Sequence, residues 1–293
     1  MHIRITLVFI ISFFLLTGCD QIALLGGFFY SYSTPDERFI ESQTMDYESD
    51  PSLIKDLNSE DKKYQFIVFS DIQGQDPELP QLRVVLDEYM VDEDEFILDC
   101  GDSSEHGFLE EFEAYKSIMD GKGKPWFQTI GNHDTYHSGW KYYREVLGKT
   151  TFSLEIGYRD TPDSGSMFII ALDSANSTIG ALQMEWLEET LKKESGHWDH
   201  QIVFSHSQFF ADPILTVVQF SDPEEIYKLM YLFSKYKVDI MFAGHTHVWN
   251  YRTLNGVEYV TTPPLEKPFS EDAFIRVFVD GDKLSWEKVI MEP

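Results

Sequence analysis

The sequence has little cysteine, and this restricts how the protein can be stabilised. Its 293 residues include two cysteines, Cys19 and Cys100. Cys19 follows an apolar N-terminal run, so a folded domain further along the chain would contain Cys100 alone. One thiol cannot form an internal disulfide, and the fold must therefore be stable without one. Because Cys100 lies in the apolar stretch 96–100, we expect a small buried side chain rather than a nucleophile.

Positive charge is also scarce. The chain carries 23 Lys and Arg against 50 Asp and Glu, which gives a net charge of −27. Such a surface repels nucleic-acid phosphates and anionic lipid headgroups, so we expect no nucleic-acid-binding surface. Apolar residues make up 43% of the chain, an ordinary share for a globular protein. The length suits one large domain or two small ones.

The N-terminal residues are typical of an export signal. The apolar run 5–16 is too short for a membrane-spanning helix, which takes about 20 residues, so we interpret residues 1–18 as a signal peptide. The following Leu16-Thr17-Gly18-Cys19 resembles the lipobox of bacterial lipoproteins. This resemblance implies a lipid on Cys19 and a protein anchored to a membrane of the bacterial cell envelope, facing the periplasm or the exterior. A plain signal peptide, or an uncleaved anchor with a chance cysteine, is the alternative.

Residues 19–62 differ in composition from the rest of the chain. Ser, Asp and Glu dominate, Pro35 and Pro51 interrupt the segment, and its helical periodicity is weak. We interpret 19–62 as the lipidated N-terminus and an acidic tether or loosely attached extension. A single domain is then expected over residues 63–293.

The pattern of this domain predicts an α/β fold. Apolar runs of the kind found in strands buried on both faces occur at 65–70, 95–99, 126–130, 167–172, 201–205 and 238–243. Amphipathic helices are expected between them, most clearly at 181–193, where Leu182, Trp186, Leu187 and Leu191 recur at helical spacing. Asp222-Pro223 is typical of a helix start. Further strands are expected at 256–261, 274–280 and 283–290, the last two joined as a hairpin by Gly281-Asp282.

Nearly every buried-strand pattern ends in polar residues of metal-binding type. These are Asp71 and Gln73, Asp102, Asn132 to Asp134, His206, and His245 and His247. Ligands of α/β sheets bind beyond the carboxyl ends of the strands, so we expect these clusters to converge. Together they offer carboxylate, amide and imidazole groups but no thiolate, a set that suits Mn, Fe or Zn.

The ordered clusters resemble the calcineurin-like metallophosphoesterase family. The family blocks read D-x-H, G-D, G-N-H-[DE], H and G-H-x-H. Here they correspond to 71–73, 101–102, 131–134, 206 and 244–247, and Gln73 replaces the first histidine. The resemblance covers residues 65–265 and implies a sandwich of two β-sheets flanked by helices, with the metal site at the C-terminal ends of strands.

The family match also implies roles for individual residues. Asp71, Gln73 and His247 would hold one divalent ion, Asn132, His206 and His245 a second, and Asp102 would bridge them. We expect Mn, with Fe or Zn as alternatives. His133 would assist the leaving oxygen or hold the phosphate, and Asp134 would orient the His133 imidazole.

The resemblance implies a phosphoric ester hydrolase that uses a bridging hydroxide as nucleophile. The substrate would be a phosphorylated small molecule or lipid, as a monoester, a diester or a pyrophosphate; oligomeric state is left open. The alternative is a catalytically silent metal-binding lipoprotein that acts as a scaffold or surface ligand.

Overall fold

The computed structural model describes residues 33–47, 63–73, 78–210, 220–265 and 272–292. The expected signal peptide, Cys19 and most of the expected tether lie outside these residues. None of the helices in the described part of the chain is both long and apolar enough to cross a membrane.

Two β-sheets form the centre of the fold. The five strands of the first sheet are β1 Lys63–Phe69, β2 Asp94–Asp99, β3 Trp126–Gln128, β10 Ala273–Asp280 and β11 Lys283–Ile290. Their order is β11-β10-β1-β2-β3. Strands β1, β2 and β3 are parallel, and the hairpin of β10 and β11 adds to β1 in antiparallel orientation.

Within the part of the chain that the structure describes, the second sheet contains six strands. They are β4 Phe152–Ile156, β5 Met167–Leu172, β6 His200–Ser205, β7 Ile240–Ala243, β8 Asn250–Leu254 and β9 Val257–Thr261. Their order is β4-β5-β6-β7-β9-β8, with β5, β6, β7 and β9 parallel and an antiparallel strand at each edge.

The sheets pack face to face, and helices cover their outer faces. Phe66 and Phe96 of the first sheet share one apolar core with Phe204 and Phe242 of the second. The helices are α1 Pro35–Ser42, α2 Pro80–Val84, which continues as a π-helix over Val85–Tyr89, α3 Leu109–Asp120, α4 Trp140–Val146, α5 Ala181–Glu194 and α6 Pro223–Lys235. A second core lies between the first sheet and α2, α3 and α4, and a third between the second sheet and α5 and α6. The predicted α/β sandwich is confirmed.

The predicted elements agree with the structure in most details. Asp222 caps α6 by accepting a hydrogen bond from the Glu224 N–H at 2.8 Å, and Gly281 lies in the turn of the last hairpin. Helix α5 occupies the predicted segment, but its buried face differs from the prediction. Leu182 is exposed, whereas Gln183 is buried because its amide bonds the Asp173 backbone at the end of β5.

Part of the segment expected to be a tether is folded against the domain. Helix α1 lies within residues 33–47, and its Arg38 and Ser42 are fully buried. Ser42 Oγ accepts hydrogen bonds from the N–H groups of Thr150 and Thr151, just before β4. Residues 33–47 therefore belong to the folded unit, and a tether over the whole of 19–62 does not describe them.

Candidate metal centre

All seven residues predicted as ligands lie where strands end, at one edge of the sandwich. The first sheet supplies Asp71 and Gln73 after β1, Asp102 after β2 and Asn132 after β3. The second sheet supplies His206 after β6, and His245 and His247 after β7. The site therefore contains residues from both sheets. Because neighbouring strands are parallel, their carboxyl ends lie at the same edge, and the segments that follow them meet there.

One group of ligand atoms surrounds His206. Its Nε2 lies 3.0 Å from Asn132 Oδ1, 3.0 Å from His245 Nδ1 and 3.3 Å from Asp102 Oδ2. Potential ligand atoms of Asp102, His206 and His245 all lie within 4.8 Å of one another.

A second group contains Asp71, Asp102 and His247, again with atoms within 4.8 Å. His247 Nε2 lies 3.5 Å from Asp71 Oδ1 and 3.3 Å from Gln73 Nε2. Asp102 belongs to both groups, and two oxygens on one carboxylate are what a bridging ligand requires.

The donor set fits divalent cations. The Cys100 carbonyl lies 3.0 Å from His206 Nδ1 and can only accept, so Nδ1 carries a proton. Nε2 faces the oxygens of Asn132 and Asp102, and it presents its lone pair there when His206 is neutral. Electron pairs directed at one point repel one another unless a cation or a proton lies between them. The chemistry therefore suits a borderline ion with nitrogen and oxygen ligands.

Gln73 is a second observation that agrees with a bound cation at this site. Its side chain is buried, and its Oε1 has no hydrogen-bond partner among the described residues. Leaving a buried acceptor unpaired costs about 1–3 kcal/mol. Turning the amide by 180° would exchange Nε2 and Oε1, and a cation beside His247 would then remove that cost, since an amide oxygen is a good ligand for hard ions.

The ionisable groups of the site shift one another's pKa values. Burial alone would raise the pKa of Asp102, but the nearby imidazoles of His206 and His133 outweigh it and hold that pKa well below its ordinary value. Burial lowers the pKa of His206, but Asp102 more than compensates and raises it to about 9. His245 behaves in the opposite way, because burial and the neighbouring His206 lower its pKa to about 4.

Four of the predicted ligands have backbones in the left-handed region. The φ angles are 52° at Asp71, 62° at Asp102, 75° at His245 and 54° at His247. This conformation is uncommon for residues with a side chain and costs on the order of 1–3 kcal/mol at each position. Such strain is characteristic of functional sites, where the surrounding structure enforces a required geometry.

Asp71 is held in place by the backbone of His245 and by two residues that were not predicted, Ser70 and Thr262. The backbone N–H of His245 donates to both Asp71 oxygens at 3.0 Å, which ties β1 to β7. The Ser70 hydroxyl bonds Asp71 Oδ2 and also lies 2.6 Å from Thr262 Oγ1. Serine and threonine at strand ends are too common for the sequence alone to have identified them.

The structure corrects the role expected for Asp134. Its carboxylate does not orient the His133 imidazole, because His133 Nδ1 lies 2.9 Å from the Glu105 carbonyl instead. Asp134 is buried and accepts five hydrogen bonds, whose donors are Gly131 N at 2.8 Å, Asp102 N at 3.0 Å, Ser104 N and Oγ at 2.9 Å each, and Ser103 Oγ at 3.1 Å. It thus braces the loop that carries Asp102. Burial and the nearby Asp102 raise the pKa of Asp134 to about 6, although these donors oppose the rise.

His133 lies at the rim of the site. Its side chain is half-buried, and its backbone N–H donates to Asp102 Oδ1 at 2.9 Å. The Tyr136 ring packs against the imidazole, with centroids 4.6 Å apart. Gly131, two residues before His133, lets the backbone come this close to Asp102, because a side chain there would collide with the Asp102 carboxylate. That His133 acts in catalysis stays a prediction, as does metal binding by the seven ligands.

Comparison with known proteins agrees with this geometry. A family model described as calcineurin-like phosphoesterase matches residues 64–249, which include every predicted ligand. No curated protein sequence matches the chain.

Solved structures share the fold at low identity. A purple acid phosphatase from yellow lupin (Lupinus luteus) seeds is 13% identical with a TM-score of 0.62, and the match covers 79% of this chain and 52% of that one. A dimetal phosphatase from Danio rerio is 13% identical with a TM-score of 0.57, covering 77% and 95%. GAP50, the anchor in the inner membrane complex of Plasmodium, is 12% identical with a TM-score of 0.58, covering 78% and 84%. This chain therefore spans about half the length of the lupin enzyme, and at such identities the likeness shows the fold alone.

Proposed function

The chain belongs to the calcineurin-like phosphoesterase family, and on that premise we propose that it hydrolyses phosphate esters with two divalent metal ions. The observation that carries this proposal is the pair of ligand groups that share Asp102. Asp71, Gln73 and His247 would hold one ion, and Asn132, His206 and His245 the other. Bound ions would neutralise charge on the phosphate oxygens and lower the pKa of a water molecule.

The protein's own side chains would position the substrate and move a proton. Because His133 Nδ1 is held by the Glu105 carbonyl, Nε2 is the nitrogen that exchanges a proton with substrate. In its protonated form, Nε2–H would donate to the oxygen that leaves phosphorus. Asp134 would contribute indirectly by fixing the loop that carries Asp102.

We further propose Mn as the preferred metal and a phosphorylated small molecule or lipid as the substrate. The Gln73 amide supports Mn, because an amide oxygen is a harder ligand than the imidazole it replaces. The resemblance of residues 16–19 to a lipobox supports a lipid on Cys19 and a place in the bacterial cell envelope. An anchored enzyme would act on substrates at or near that membrane surface.

A catalytically silent scaffold is the second candidate. The observation in its favour is the likeness to a Plasmodium protein described as an anchor, which shows that this fold also occurs in such a protein. The retained ligand set opposes it, because a scaffold does not require strained backbone at four ligand positions.

One experiment separates the two candidates. Purified protein is stripped of metal, reloaded with Mn²⁺ and assayed for release of phosphate from a chromogenic phosphate ester. We expect hydrolysis that depends on the metal and is lost in His206→Ala. His197→Ala is the matched control, since this exposed histidine pairs with Asp160 outside the site. A wild type that binds Mn²⁺ without hydrolysing monoesters, diesters or pyrophosphates would favour the scaffold.

A further inference from the structure

Helix α1 places a buried positive charge at the end of β5, the neighbour of β6 in the second sheet. The Arg38 guanidinium is fully buried and forms two bonds with the Asp173 carboxylate, at 2.6 Å from Nε and 2.8 Å from Nη2. Nη2 also donates to Asn176 Oδ1 at 2.7 Å. Asp173 directly follows β5 and is itself fully buried. Such a paired geometry fixes both position and orientation of the carboxylate.

The segment held by Arg38 contacts the segment that carries His206. Ser174, next to Asp173, accepts a hydrogen bond on Oγ from the Ser207 backbone N–H at 2.8 Å. Ser207 Oγ donates in return to the Ser174 carbonyl at 2.9 Å. Ser207 directly follows His206, and both serines are buried. A path of hydrogen bonds and adjacent residues therefore runs from Arg38 in α1 to His206 on one side of the predicted metal centre.

We propose that Arg38 is a positioning residue for the metal centre and acts through Asp173, Ser174 and Ser207 on His206. This inference rests on the proposed function, since it concerns how tightly the His206 group holds its ion. Groups that hydrogen-bond metal ligands commonly set ligand orientation, and losing such a direct partner costs roughly 10–100-fold in metal affinity. Arg38 acts through intervening residues, so we expect an effect at the lower end of this range. The N-terminal segment would then be part of the active structure as well as the connection to an anchor.

Other contacts of α1 provide controls because they lead elsewhere. Asp36 Oδ1 accepts from the Leu182 N–H at 2.9 Å, at the start of α5. Glu41 Oε2 accepts from Trp140 Nε1 at 2.9 Å and pairs with Arg144 at 2.6 Å, both in α4. Substituting either residue weakens the attachment of α1 without removing the Arg38–Asp173 pair.

The test measures Mn²⁺ binding to the full chain by competition with a fluorescent chelator. Arg38→Met is compared with Asp36→Ala and Glu41→Ala, together with the urea midpoint of each metal-free variant. We expect Arg38→Met to weaken one of two Mn²⁺ sites by about tenfold, the lower end of the range for outer groups. The controls should remain within about twofold of wild type, because they lack the contact path to His206. A purely structural role for Arg38 would move the urea midpoints but leave these affinities equal.

Ser174→Ala keeps the test decisive if Arg38→Met does not fold. This change preserves the buried ion pair but removes the acceptor for the Ser207 N–H, and it should weaken the same Mn²⁺ site. If the folded variants bind both ions as the controls do, the inference is wrong and the proposed function stands. A wild type that binds no Mn²⁺ would overturn the proposed function and this inference with it.

Discussion

Replacing Asp134 by asparagine tests whether this buried carboxylate braces the Asp102 loop or serves the His133 ring. Three backbone N–H groups and two hydroxyls donate to its two oxygens. Asparagine has a similar shape but keeps only one of the oxygens as an acceptor. Its NH₂ group would face donors that now have a partner, so the substitution changes hydrogen bonding with little change in volume.

The size of the effect follows from counting those donors. In its better orientation, the amide oxygen of the introduced asparagine would serve the three donors of Ser103 and Ser104. The N–H groups of Gly131 and Asp102 would then face the NH₂ group. An unpaired buried donor costs about 1–3 kcal/mol, so two of them predict a loss of about 2–6 kcal/mol in the free energy of unfolding. That is a large part of the roughly 5–15 kcal/mol that stabilises a typical domain.

The measurement is urea unfolding of the metal-free protein, followed by circular dichroism. Ser103→Ala is the matched control, because it removes a single hydroxyl donor from the same carboxylate and should cost about 1 kcal/mol. A loss below about 1 kcal/mol for Asp134→Asn would refute the bracing role. If stability were unchanged and activity fell as in His133→Ala, the original expectation that Asp134 serves the imidazole would be restored.

Three other substitutions test the remaining expectations. Asp102→Asn should retain the fold but reduce Mn-dependent turnover by more than tenfold, because a neutral amide cannot hold two cations together. Tenfold corresponds to about 1.4 kcal/mol of activation free energy, and a smaller loss contradicts the shared-ligand assignment. Gln73→His should shift reactivation of chelated protein from Mn toward Zn or Co at matched free-metal concentrations, and an unchanged metal ranking means that Gln73 is not a ligand. Cys19→Ser should move the protein from the detergent to the aqueous phase, whereas equal partitioning of both proteins would contradict the lipid anchor.

The sequence predicted the buried parts of the fold well because burial leaves a local pattern. Strand β5 is apolar at every position, β6 is buried at every position, and His206 follows directly where β6 ends. Strand β8 was missed because it is an exposed edge strand, Asn-Tyr-Arg-Thr-Leu, without a buried face. Strand β4 was missed because its buried Phe152, Leu154 and Ile156 alternate with Ser153 and Glu155, so it lacks the continuous apolar run of the central strands.

Interactions between distant residues could not be read from local patterns. Arg38 lies in a stretch whose acidic composition is typical of a tether, and its partner Asp173 is 135 residues away. The role of Asp134 was misjudged for a related reason. Its place beside His133 in the sequence suggested a contact, whereas the fold directs its carboxylate to the loop after β2.

The order of strands has a consequence for when the site forms during folding. Strand β1, which leads to Asp71 and Gln73, lies between β2 and the late strand β10, and Lys63 pairs with Asp280. Contacts between such distant segments form slowly, because a long loop must close before they stabilise the chain. The first sheet thus cannot be completed until the C-terminal hairpin is in place. We therefore expect metal affinity to appear late in folding, and a chain in which this hairpin has not yet formed should not bind two metal ions.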